Sequence, residues 1–209
     1  MIAFILKGGI LVIPILACSV LALAIFLERV IRFSLMKSRG AGLAEKVVAA
    51  LESGEDGVAE KIAEQSRSPM GRVLKSAIAF KGHDREILET VLVHATDQEV
   101  RGLSQYIQAL ATIGNIAPLL GLLGTVMGMI KAFMVIQDMG GRVNSAVLAG
   151  GIWEAMITTA LGLSVALPVM LAHSYLLARV DRYEARLTHG AVVFLTAVAT
   201  RNKDKQERK

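Results

Sequence analysis

Gly150-Gly151-Ile152-Trp153-Glu154-Ala155-Met156-Ile157-Thr158-Thr159-Ala160-Leu161-Gly162 lies inside an apolar run, 145–178, in which Glu154 is the sole charged side chain. The run is longer than the roughly 20 residues that a helix needs to cross a hydrocarbon layer. A carboxylate at that depth costs a few kcal/mol or more, so such residues mark ion or proton routes by default. Two further runs have the same character: 8–27, and 110–130 with 132–137 beyond Lys131. In lipid a single apolar run satisfies its backbone only as a helix. The expectation is an all-α integral membrane protein with three transmembrane helices, at 8–27, 110–136 and 148–178.

The rest of the 209 residues separates by composition. The chain is 54% hydrophobic but only 5% aromatic, with a net charge of +5. The basic residues do not form a nucleic-acid stripe. Arg29, Arg32, Lys37 and Arg39 follow the first span, and Arg179, Arg182 and Arg186 follow the third. Arg201, Lys203, Lys205, Arg208 and Lys209 end the chain, whereas the connection after the second span carries only Asp138 and Arg142. By the positive-inside rule, 28–109 and 179–209 are cytoplasmic, and segments 1–7 and 137–147 are external. Cys18, the single cysteine, is mid-span and excludes an internal disulfide framework. An uncleaved anchor helix is expected there, with Pro14 as a site for a kink.

The cytoplasmic region 28–109 is patterned as helices. Leu43, Val47, Val48 and Leu51 recur at helical spacing. A helix is expected from Asp56 to Gln65, another from Pro69, and a third capped by Asp84. The last is expected to run unbroken into the second span. Residues 191–199 are too short for a fourth span and are expected to pack on the cytoplasmic helices. The tail 201–209 is expected to fray.

The second span reads Thr112-Ile113-Gly114-Asn115-Ile116-Ala117-Pro118-Leu119-Leu120-Gly121-Leu122-Leu123-Gly124-Thr125-Val126-Met127-Gly128. Ala117, Gly121, Gly124 and Gly128 form a small-residue stripe, overlapped by Gly114, Pro118, Gly121 and Thr125. Gly151, Ala155, Thr158, Gly162 and Ala166 form another in the third span. Such stripes let helix backbones approach closely in lipid, so the glycines read as packing residues. Glu154 and Thr158 share a face, and Thr125, Thr158 and Thr159 are candidates for a polar seam beside Glu154. Burial disfavours the charged form of a carboxyl, which suits a group that takes up and releases protons. Two readings of Glu154 stay open: an ion-path residue, or neutral interhelical glue in a membrane scaffold. A solute transporter is a weaker third, since no internal repeat supports it. No metal-ligand spacing and no phosphate loop appears, so no metal, cofactor, ATP or catalytic residue is expected, and the chain does not read as an enzyme.

The strings 116–128 and 151–162, with Pro168 beyond and Glu28-Arg29 after the first span, resemble the MotA/TolQ/ExbB proton-channel family, and three spans resemble its ExbB/TolQ branch. That resemblance implies a homopentamer in a bacterial inner membrane, with a periplasmic amino terminus and a cytoplasmic carboxyl terminus. It implies a single-span ExbD/TolR-type partner bearing a membrane aspartate, and a TonB- or TolA-like protein beyond it. It places Glu154, Thr125 and Thr159 on the proton path, while Trp153 and Thr158 stand where many members carry smaller or apolar residues.

Overall fold

The computed structural model describes residues 9–37, 42–138 and 145–207. The expected external segment 1–7, Arg39, most of the 137–147 connection with Arg142, and the final Arg208 and Lys209 lie outside the described residues. The helices in chain order are α1 (Val12–Lys37), α2 (Leu43–Glu52), α3 (Asp56–Gln65), α4 (Pro69–Ala79), α5 (Arg85–Ser104), α6 (Ile107–Asp138) and α7 (Ser145–Glu207). No strand occurs among the described residues, in line with the all-α class. Three stretches, Val12–Met36, Arg85–Asp138 and Leu148–Lys203, are long and apolar enough to cross a membrane.

The chain divides into two compact units: 1–28 with 106–176, and 29–105 with 177–209. In the first, the buried residues of α6 are Ile107, Leu110, Gly114, Ala117, Gly121, Gly124, Gly128 and Ala132. Every step between them is three or four residues, so one narrow stripe of mostly side-chain-poor positions faces the neighbouring helix. Leu119, Leu122, Leu123 and Val126 point outward and stay exposed. Lipid is as apolar as leucine, so burying these would gain little, whereas small residues gain dispersion through close backbone contact. In α1, Val12, Ile15 and Ala22 are buried. Because α1 starts at Val12, Pro14 falls in its first turn, where its missing N–H has no helical acceptor to lose. The expected kink is therefore not required.

The second unit packs α2–α5 against the 177–207 part of α7. Val47, Leu51, Val73, Leu74, Leu88, Leu187 and Phe194 form its core. Ser68 caps α4, its hydroxyl accepting from the Gly71 N–H at 3.1 Å with Pro69 next in line. Asp84 occupies the cap position of α5, but its side chain makes no capping bond. Phe194, Ala197 and Val198 are buried in this core, as expected for 191–199.

Two expectations are corrected here. The helix from Arg85 does not run unbroken into the second span. It stops at Ser104, and Tyr106 takes a left-handed backbone (φ 62°) before α6 begins. A side chain with a Cβ pays roughly 1–2 kcal/mol for that conformation. The buried Arg29 guanidinium offsets it, donating to the Gly102 and Leu103 carbonyls at 3.3 and 3.5 Å. These are end-of-helix acceptors that α5 itself leaves without donors. The tail is the second correction. Residues 201–207 remain helical, and Arg201 is ion-paired with Asp56, whose other oxygen lies 2.9 Å from Lys81.

The Arg201 guanidinium, followed by the Lys81 ammonium, holds the Asp56 carboxyl at about 2, against its ordinary 3.8. A carboxyl whose pKa falls on folding stabilises the fold above the unfolded value, and the gain disappears as pH drops through the folded one. Asp56→Asn is therefore expected to melt below the wild type at neutral pH, with the gap closing between about pH 4 and about pH 2. Melting curves that stay parallel across that window would remove Asp56 from the stability of this unit.

Candidate functional site: the Glu154 seam

The seam is built by pairing the two small-residue stripes. A Cβ placed on Gly114 would meet Met170, on Gly121 the Thr158 carbonyl and Thr159 Cα (both 3.0 Å), on Gly128 Ala155, and on Gly151 Ala132. The partners descend as the α6 numbers rise, so α6 and this part of α7 run antiparallel. Gly162 is the tightest point against backbone. Its added Cβ would stand 2.6 Å from the Ala117 carbonyl oxygen and 3.1 Å from Gly121 Cα. Gly124 accommodates the Thr158 side chain itself.

The threonines divide by what they touch. Thr158 is 2% exposed, so it sits inside the seam. Its hydroxyl donates to the Ala155 carbonyl at 2.7 Å and approaches the Gly121 carbonyl at 3.5 Å. Thr159, half-buried, donates across the seam to the same Gly121 carbonyl at 3.1 Å. Thr125 is half-buried and donates to its own helix, to the Leu122 carbonyl at 2.6 Å. Pro118 is half-buried within α6, and its missing N–H leaves the Gly114 carbonyl without a helical donor. Pro168, exposed within α7, borders an apolar cavity of about 530 Å³ between α1 and α7, together with Ser19, Phe26, Ser164 and Tyr175.

Glu154 lies at the flank of the seam, its side chain 29% exposed. It is alone in its stretch of sequence but not in the fold. The Lys131 ammonium of α6 stands 3.2 Å from its Oε1. Gly9, with φ 70°, lies against the same oxygen, and a Cβ there would collide with it. An exposed pair of this kind contributes about 0–1 kcal/mol in water, and more where hydrocarbon replaces water around it. Along the sequence Lys131 only interrupts an apolar run. Setting the two stripes antiparallel, with Gly128 on Ala155 and Ala132 on Gly151, is the signal that brings Lys131 opposite Glu154. Trp153 is 53% exposed and points away from the seam's buried line.

Residues 65–189, which hold most of this helix pair and Glu154, match the MotA/TolQ/ExbB proton channel family. The chain belongs to that family. It falls in the ExbB/TolQ branch, as its relatives show. An ExbB-like biopolymer transport protein (ExbB-like 3) of Synechocystis is 32% identical over 79% of this chain and 80% of its own length. The biopolymer transport protein exbB1 of Vibrio cholerae is 29% identical over 87% of the chain and 81% of its own length. The Tol-Pal system protein TolQ of Haemophilus influenzae is 37% identical over 43% of the chain and 39% of its own length. The matched segment contains α6 and the Glu154 stretch of α7. Together with the three apolar stretches, the match makes this a multi-pass membrane protein.

Proposed function

We propose that the chain is the multi-copy subunit of a proton-driven motor in the bacterial inner membrane, and not an enzyme. Protons pass by way of Glu154 from the outside to the cytoplasm, and their flow drives work across the cell envelope. The observation that carries this reading is the Glu154 carboxylate, partly open at the flank of the α6–α7 seam in a member of a proton channel family. Thr159 and Thr125 line the same region of the seam, and Thr158 holds the helices in register. Several copies, five by family resemblance, surround a single-span ExbD/TolR-type partner that contributes a membrane aspartate. A TonB- or TolA-like protein receives the work. Arg29, Arg32, Arg179, Arg182 and Arg186 favour a cytoplasmic carboxyl terminus and an external amino terminus.

A second reading is favoured by the Lys131 contact: Glu154 as a satisfied ion pair that only glues helices in a membrane scaffold. Purification in mild detergent from native membranes, with intact-complex mass spectrometry, tests the proposal. Several copies of this chain with a single-span, aspartate-bearing polypeptide is the expected result. A complex of this chain alone, at full yield, would overturn the partner-coupled motor and favour the scaffold.

A further inference from the structure

A groove of about 280 Å³ runs between α5 and the 184–195 part of α7, within the second unit. Its floor is apolar, with Leu92, Ala191 and Leu195. Three carboxylates, Glu89, Asp97 and Glu184, stand on its rim. All three are exposed, and none has an ion-pair partner among the described residues. Thr96 lines the same groove at 7% exposure, its hydroxyl oxygen shielded from solvent. Val93 and Val192 flank the groove at 56% and 55% exposure.

The same α7 segment offers the complement. Arg182 and Arg186 are exposed and make no ion pair among the described residues. Arg182 donates to the Ala178 carbonyl of its own helix, and Arg186 lies 5.9 Å from the centre of the Tyr183 ring. At 3.6 residues per turn, these arginines sit about half a turn round α7 from Glu184, Thr188, Ala191 and Leu195. One helix thus carries an acidic, apolar-floored groove on one side and exposed guanidinium groups, without an ion pair among the described residues, on another. Unlike surfaces on one chain make a head-to-tail contact between copies, which closes into a ring when the rotation allows.

We infer that this groove is the docking site for the Arg182–Arg186 face of a second copy of the chain. The guanidinium groups donate to the three rim carboxylates, in the planar geometry that arginine provides. Their aliphatic stems lie on the apolar floor. The inference deepens the homo-oligomer part of the proposed function and does not depend on proton transport.

The test uses the full chain in its native membrane with the photoreactive residue p-benzoylphenylalanine in place of Val93. Irradiation is expected to give a product of twice the chain mass, with the linked peptide coming from the Arg182–Arg186 segment. Asp97→Arg with Glu184→Arg should reduce that product to background, as should Arg182→Glu with Arg186→Glu. All four changes together should restore it, which separates docking from simple misfolding. Failure of the fourfold variant to restore the product would overturn the inference. So would no product, or a product joined to a different polypeptide. Glu154→Gln should leave the crosslink intact, so the docking contact and the proton route fail separately.

Discussion

Glu154→Gln is expected to reduce proton-driven work to the level of a strain lacking the chain, while the variant inserts, folds and assembles at normal yield. Glutamine keeps the size and hydrogen-bonding capacity of the side chain and removes its ability to titrate. Glu154 is on the flank of the seam and not in its buried line, so the α6–α7 contact does not rest on it. The loss should therefore fall on transport and not on the fold. Lys131→Gln separates the two readings of this carboxylate, because it deletes the ion pair but keeps the titratable group. If Lys131→Gln reproduces the whole defect, the pair acts as glue. If Glu154→Gln works normally, the proton route lies elsewhere. Both are read by proton-dependent uptake or envelope integrity in cells, alongside native mass spectrometry of the purified complex.

The second large effect is structural. Gly162→Leu is expected to leave little folded protein in the membrane fraction, whereas Gly150→Leu on the same helix accumulates normally. A Cβ at 162 meets backbone, the Ala117 carbonyl oxygen at 2.6 Å and Gly121 Cα at 3.1 Å, while at 150 it meets nothing within 4 Å. Extra methylenes in an ordinary core cost about 1–3 kcal/mol because side chains give way. Here the obstacle is a neighbouring helix backbone, so the helices have to separate. Separation also breaks the 3.1 Å bond from Thr159 to the Gly121 carbonyl. Equal melting temperatures and yields for the two leucine variants would show that the seam is not what holds these helices.

Much of this was legible along the chain because its causes are local. Apolar run length gave the spans, Ser68-Pro69 gave the start of α4, and the small-residue stripes gave the buried line of α6. What escaped was set by residues far apart in sequence. The break at Tyr106 carries no glycine or proline to announce it, and the group that stabilises it, Arg29, lies 73 residues before Gly102. The tail stays helical because Arg201 pairs with Asp56, 145 residues away. Lys131 meets Glu154 only once the two spans are folded together. Thr158 shows the converse. Its type and its face were readable, but only the fold reveals that Gly124 leaves room for it inside the seam.

The alternating three-and-four spacing of the α6 stripe, from Ile107 to Gly128, averages 3.5 residues per turn. A straight α-helix drifts about 20° per seven residues from such a stripe, so the pair keeps contact along its length only by winding into a left-handed supercoil. The contacts at Gly121, Gly128 and Gly162 bring the two backbones together along the stripe. On the proposed reading, a proton at the depth of Glu154 would travel along the outside of this closed pair, and a second polypeptide would supply the far wall of its path.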